Sequence, residues 1–152
     1  MPRAAARSAA TMTDTKERLR QIARADGRYS PEAFYFLFEA LEIAVKLAGK
    51  DGLQGPARHV TGREVLDGMR EHALTAFGPL AAYVWRAWGV RETFDWGQVV
   101  FLLVDHGLLK RQDSDSIEEF RGVYDFDDAF VGAYEQRLRD ALAARLGAAP
   151  DP

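Results

Sequence analysis

The chain has 152 residues, of which 47% are hydrophobic, and a formal net charge of −3. This composition is typical of one globular domain with an adequate core. It contains no cysteine, which excludes disulfides, thiolate metal ligands and a cysteine nucleophile. No stretch approaches the about 20 apolar residues of a membrane-spanning helix, and no apolar segment of a secretory signal follows Arg3 and Arg7. We therefore expect a cytoplasmic protein of bacterial type that does not associate with a membrane.

Domain boundaries follow from the distribution of residue types. Residues 1–12 are rich in arginine and alanine, so we expect a disordered N-terminal extension there, and Met12 is an alternative start to Met1. Residues 13–146 are predicted to form a single helical domain. Residues 147–152 are expected to be a frayed tail.

The first predicted helix covers residues 14–25 and belongs to a basic region of the chain. Residues 1–29 carry seven basic side chains against three acidic ones. This excess indicates either a solvated helix face or an arm that binds an acidic partner or nucleic acid.

The second predicted helix is apolar around most of its circumference. Ser30 has the properties of an N-cap and Pro31 those of a first helical residue, so the helix is predicted to continue from there to Ala48. Its polar residues share one narrow stripe at helical spacing. So wide an apolar arc needs cover from several sides. We expect either the central helix of the fold, which we favour, or an oligomer contact through residues 30–48.

The third and fourth predicted helices are separated by Gly78 and Pro79. Thr61 and Glu64 have the spacing of a capping box, which predicts a helix that ends near Phe77. The fourth helix, residues 79–88, is short and carries several aromatic side chains. Trp85 is therefore a candidate partner contact if it remains partly exposed, and a core residue if the first or second helix covers it.

A fifth helix is predicted over residues 94–106, with Thr93 as its cap. Residues 108–111 and 120–124 are then predicted to pair as a β-hairpin around the turn-forming residues 113–116. The last helix begins after Asp125 or Asp127 and ends near Leu146. The expected fold class is therefore mainly α, a single domain of about six helices with a small β-hairpin.

Two resemblances agree with this order of elements. Residues 61–126 resemble a winged-helix domain, in which three helices precede a hairpin, and this resemblance implies a winged-helix-like C-terminal half. More of the chain, residues 28–131, is similar to a family of short bacterial proteins with no assigned function. The matching pieces are YSPEAF at 29–34, HVTGRE at 59–64, AFGP at 76–79, DHGLL at 105–109 and YDFD at 124–127. The second resemblance implies no activity.

The segments that meet DNA in a winged-helix domain are acidic in this chain. Residues 113–128 contain seven acidic side chains and one basic side chain, Arg121. Because carboxylates repel phosphates, this charge disfavours ordinary major-groove binding. Winged domains also serve as protein-interaction modules, and an acidic surface attracts a basic partner.

The favoured function is a non-catalytic protein-binding adaptor or regulatory module, whose acidic wing surface meets another protein with a basic surface. The candidate partner-binding residues are Trp85, Asp95, Gln98, Asp113, Asp115, Glu118 and Glu119. The alternative is a sequence-tolerant nucleic-acid-binding protein that uses Arg18, Arg20, Arg24, Arg28, Lys110 and Arg111. The chain has no glycine-rich phosphate loop and no nucleophile elbow, and we predict no catalytic residue, cofactor or metal site.

Overall fold

The computed structural model describes the backbone of residues 2–147 and the side chains of residues 12–147. The α-helices, in chain order, are α1 (Pro2–Asp26), α2 (Pro31–Leu47), α3 (Gly62–Phe77), α4 (Ala81–Ala87), α5 (Thr93–Asp105) and α6 (Ala133–Leu146). Short 3₁₀ segments lie at Gly55–Arg58, Gly78–Leu80 and Ile117–Phe120, and a π-helical segment at Asp128–Gly132. Helix α1 therefore begins earlier than the expected residue 14. Most of the predicted tail, residues 148–152, lies outside the described residues, and so does Met1.

Helix α2 is the central helix of the core. Ser30 caps it, because the Ser30 hydroxyl accepts a hydrogen bond from the backbone N–H of Glu32 at 3.3 Å. Its buried residues are Ala33, Phe34, Phe36, Leu37, Ala40, Ala44 and Val45. Its exposed residues include Glu32, Glu39, Glu42 and Lys46, which belong to the polar stripe read from the sequence. The protein's own helices thus cover most of the wide apolar arc of α2.

Helix α3 crosses α2 at very short range. A Cβ atom added to Gly68 would lie 2.7 Å from the Cβ of Ala44, so only a glycine fits at this crossing. The predicted capping box is confirmed: Thr61 Oγ1 accepts from the Glu64 N–H at 3.2 Å, and Glu64 Oε1 accepts from the Thr61 N–H at 2.9 Å. Lys50 also donates to Glu64 Oε1, at 3.0 Å.

The short helix α4 places Trp85 at the centre of an aromatic cluster. The Trp85 ring packs edge-on against Trp96 at 5.1 Å between centroids, against Phe126 at 4.9 Å and against Phe130 at 4.8 Å. Both tryptophans have no solvent exposure. Each fully buried aromatic ring of this size stabilises the fold by several kcal/mol, about 3–5 when judged by truncation to alanine.

The predicted β-hairpin is wrong, because the described residues 2–147 contain no β-strand. The segment predicted as the second strand begins with Phe120, whose side chain is buried and packs on α5. A Cβ added to Gly97 would lie 2.8 Å from the Phe120 Cβ. Docking of this one ring fixes residues 117–120 as a 3₁₀ turn against the helix, so no strand pairs here. The expectation of a winged-helix-like C-terminal half with a β-hairpin is therefore wrong. The expectation of a mainly α fold is confirmed.

The Thr93 side chain forms hydrogen bonds with two backbone groups of the segment that was expected to pair as a strand. Its hydroxyl donates to the Phe120 carbonyl at 2.6 Å and accepts from the Val123 N–H at 3.1 Å. The prediction that Thr93 caps α5 is also wrong, because the N-cap is Glu92 and Thr93 is the first helical residue. Thr93 is only 1% exposed, and its hydroxyl satisfies two backbone groups that are otherwise left unpaired.

Candidate functional site

A groove of about 500 Å³ opens between α2, the first turns of α3, α5 and two loops. This volume lies in the range of small-molecule sites, about 300–1,000 Å³. Its apolar lining residues are Leu41, Val45, Pro56, Val60, Val65, Val100, Phe101, Val104, Leu109 and Phe120. The exposed surface of the groove is therefore mostly apolar, the usual character of a ligand site.

The apolar wall exists because the hydrophobic run of α5 is wider than the face that the core covers. Val99 and Leu103 are fully buried in the core. Val100, Phe101 and Val104 lie on the adjoining arc of the helix, and they are only half-buried. Residues one position apart are about 100° apart on a helix, so a run of six apolar residues covers more than one face. The apolar residues of this run that the core does not fully cover, Val100, Phe101 and Val104, line the groove.

Two loops meet at one end of the groove. The Nε2 atom of His59 lies 2.8 Å from Oδ2 of Asp115, and both side chains are largely buried. The geometry at this His59 nitrogen falls short of a hydrogen bond, so the contact is a close approach of the two side chains. Asp115 also accepts from the Gln112 N–H at 2.7 Å, and the Gln112 amide donates to the Pro56 carbonyl at 3.3 Å. These contacts hold residues 55–60 against residues 109–116.

Glu119 lines the groove but is held by the start of α3. Its Oε2 accepts a hydrogen bond from the Gly62 N–H at 3.0 Å. A carboxylate at this position satisfies an unpaired helical N–H and interacts favourably with the helix dipole. The charge of Glu119 is therefore largely compensated within the protein.

The cationic side chains that line the groove are Arg58, Lys110 and Arg111. Arg58 pairs with Glu42 at 3.0 Å. The guanidinium of Arg111 donates to the Asp115 carbonyl at 3.2 Å and lies 5.5 Å from the ring centroid of Phe101. Within residues 12–147, neither Lys110 nor Arg111 forms a salt bridge with a carboxylate. The groove therefore combines an apolar wall with two positive charges that lack an acidic partner.

Three of the predicted partner-binding residues lie away from the groove. Trp85 is a core residue with no exposed surface. Asp95 accepts from the Tyr29 hydroxyl at 2.7 Å and from the Arg91 N–H at 2.9 Å. Burial raises the pKa of Tyr29, and the bond to Asp95 raises it further. Gln98 accepts a hydrogen bond from Arg28. All three positions are therefore used by contacts within the protein.

The other predicted residues belong to the acidic segment that was read as a wing. Asp115 and Glu119 line the groove, and both bind backbone groups of the protein. Glu118 is exposed and pairs with Arg121 at 2.7 Å. Asp113 is also exposed. The structure thus brings two of the seven predicted residues together at the groove.

The basic residues named for nucleic-acid binding are largely engaged by neighbours. Arg18 donates to the His106 carbonyl at 3.1 Å, Arg20 pairs with Glu17 at 2.6 Å, and Arg28 pairs with Asp26 at 2.9 Å. Lys110 and Arg111 line the groove.

The apolar residues of the groove and His59 were not among the predicted site residues. The sequence did contain an indication of the groove, since α2 and α5 each carry more apolar residues than one neighbouring helix can cover. Which part of that surplus meets the core and which part lines a groove depends on residues distant in sequence.

Comparisons with known proteins identify no relative of this chain: no family model, no curated protein and no solved structure matches it. None of the helices in the described part of the chain combines the length and hydrophobicity that crossing a membrane requires. Across those same residues, no three histidine, aspartate or glutamate side chains are grouped as metal ligands.

Proposed function

We propose that the protein is a non-catalytic cytoplasmic binding module with an adaptor or regulatory role, and that its groove binds an apolar molecule carrying one anionic group. The observation that carries this proposal is the half-exposed apolar wall of α5 beside Lys110 and Arg111, two cations with no acidic partner among the side chains of residues 12–147.

The apolar part of the ligand is inferred from the groove walls. Val100, Phe101 and Val104 are only half-buried by the protein's own residues. A ligand that covers them removes apolar surface from water, which favours binding by about 25 cal/mol per Å². The wall includes residues from three different helices, α2, α3 and α5, so an apolar ligand would contact side chains of all three.

The anionic part of the ligand is inferred from the charge balance at the groove. The acids that line it, Asp115 and Glu119, already accept hydrogen bonds from backbone N–H groups. Arg58 already forms an ion pair with Glu42. The positive charges left for a ligand are those of Lys110 and Arg111, and charge-assisted hydrogen bonds from such groups to a carboxylate are among the stronger polar contacts.

The test is a calorimetric titration of the full-length protein with decanoate, decanol and decyltrimethylammonium, which share one tail and differ in charge. We expect decanoate to bind about tenfold or more tightly than decanol, because it adds a hydrogen bond to a charged group. The cation is expected to bind most weakly.

Two variants separate the parts of the proposal. The double variant Lys110→Ala/Arg111→Ala is expected to lower the affinity for decanoate to that for decanol and to leave decanol binding unchanged. Val100→Trp is expected to fill the groove and abolish both. The matched control Lys46→Ala/Arg139→Ala removes exposed cations elsewhere and is expected to change neither. Equal binding of decanoate to the wild type and to a folded Val100→Trp variant would disprove the proposal. So would a wild type that binds no decanoate.

A further inference from the structure

Helix α6 presents an apolar stripe that is left substantially exposed to solvent. Tyr134, Leu138, Leu142 and Leu146 recur at every fourth residue, and they are 37%, 48%, 50% and 77% exposed. Side chains at this spacing lie on one side of a helix. No residue of α6 is buried, so its apolar side faces solvent along nearly its whole length.

Among the described residues, two close contacts attach the N-terminal part of α6 to the rest of the protein. A Cβ added to Gly78 would lie 3.2 Å from the Tyr134 ring, and Arg137 pairs with Glu71 of α3 at 2.8 Å. Leu80, close to that glycine, is 64% exposed and extends the apolar surface beyond α6. Because a helix of this length is marginally stable alone in water, a partner along the stripe would stabilise it. Contiguous exposed apolar surface of this kind marks an interaction site.

The charges on α6 indicate what that partner is. Glu135 and Arg145 are exposed, lie on the same side of the helix as the stripe, and are equally distant in sequence from Asp140. Among the side chains of residues 12–147, neither has a hydrogen-bond or ion-pair partner. Asp140 lies six positions after Tyr134. Because each position adds about 100° around the helix, Asp140 lies on the side opposite the stripe.

We propose that α6 pairs with the α6 of a second copy of this chain, antiparallel, about a twofold axis near position 140. In that arrangement Glu135 of each copy faces Arg145 of the other, so the same ion pair forms twice. Leu138 faces Leu142, and Tyr134 faces Leu146. A parallel pair would place Glu135 beside Glu135 and would be repelled. A twofold contact uses the same patch on both copies, which is what this self-complementary pattern provides. This inference is independent of the groove.

The test is the mass of the full-length protein by sedimentation equilibrium over a range of concentrations. We expect a concentration-dependent monomer–dimer equilibrium, because a pair of short helices buries less surface than a permanent dimer requires. Leu142→Glu is expected to give a monomer at every concentration, and Asp140→Asn, on the far side of the helix, to leave the equilibrium unchanged. Circular dichroism of each variant verifies that it is folded.

Charge exchange tests the antiparallel pairing directly. Glu135→Arg alone and Arg145→Glu alone are each expected to weaken dimerisation at least tenfold. Mixing these two variants is expected to restore a dimer, because one chain then carries arginine at both positions and the other carries glutamate at both. A wild-type monomer at all concentrations would overturn the proposal. So would a dimer that persists in folded Leu142→Glu, or a mixture that fails to associate although the wild type does.

Discussion

The carboxylate of Glu119 caps a helix that begins far away in the sequence. It accepts a hydrogen bond from the backbone N–H of Gly62, 57 residues earlier, at 3.0 Å. The same glycine leaves room for the neighbouring ring, since a Cβ at Gly62 would lie 2.8 Å from Phe120 Cε2. Helix α3 is thus capped twice, by Thr61 within its own sequence and by Glu119 from the segment after α5.

The first prediction concerns this long-range cap. Glu119→Gln keeps the shape of the side chain and removes the charge that interacts with the helix dipole. We expect a loss of about 1 kcal/mol in the free energy of unfolding, measured by urea denaturation. The control Asp113→Asn removes an exposed charge of the same segment and should change stability by less than about 0.5 kcal/mol. If the two variants have the same urea midpoint, the Glu119 cap contributes nothing.

The second prediction concerns the crossing of α2 and α3. Gly68→Ala places a methyl group 2.7 Å from the Cβ of Ala44 and 2.8 Å from its backbone nitrogen, and backbone atoms cannot rotate away. We expect a destabilisation of about 1–3 kcal/mol from overpacking. Gly132→Ala is the matched control, because a Cβ there meets nothing within 4 Å, and its stability should be equal or slightly higher. A Gly68→Ala variant as stable as the wild type would show that the helices separate at little cost.

The third prediction concerns the hydroxyl of Thr93. Thr93→Val keeps the size of the side chain and leaves the Phe120 carbonyl and the Val123 N–H without their partner. We expect a loss of about 2–6 kcal/mol, since two backbone groups lose their partner and each unsatisfied buried group costs about 1–3 kcal/mol. Hydrogen exchange at the Val123 amide should become faster. Thr93→Ser retains the hydroxyl, so the Val123 amide should still exchange slowly in this variant. Fast exchange in both variants would show that the hydroxyl does not protect this amide.

The fourth prediction concerns acid stability at the capping box. Burial raises the pKa of Glu64, but the hydrogen bonds from the Thr61 N–H and from Lys50 outweigh it, and the net pKa lies below the ordinary value of 4.5. Folding is therefore stabilised by ionised Glu64 above the unfolded pKa, and this contribution is lost as the pH falls through the lower folded pKa. Glu64→Gln should be less stable than the wild type near neutral pH, by about 1 kcal/mol. Urea denaturation at several pH values should show this difference shrinking below pH 4.5; a difference that stays constant would contradict the assignment.

Features governed by neighbouring residues were predictable from the sequence. Ser30 and Thr61 cap their helices as expected, because an N-cap bonds to backbone groups two or three residues away. Asp125, one of the two residues expected before the last helix, makes a local bond of the same kind, since it accepts from the Asp128 N–H at 3.1 Å. Local chemistry of this kind does not depend on the rest of the fold.

Features governed by distant residues were not predictable. The β-branched and aromatic residues near Phe120 have strand propensity, yet their structure is decided by the space that Gly97 leaves on α5. Trp85 is buried because Phe126 and Phe130 return to cover it, and a short helix gives no sign of that in its own sequence. The groove escaped prediction for the same reason, since its walls are assembled from α2, α3, α5 and two loops.

The aromatic cluster also gives the protein an internal optical reporter. Of its three tryptophans, Trp85 and Trp96 have no contact with solvent, and Trp88 is partly covered. Native emission should therefore be blue-shifted, and opening of the core should move it toward the red as both indoles meet water. Loosening around α4 and α5 can thus be followed in the unlabelled protein by its own fluorescence.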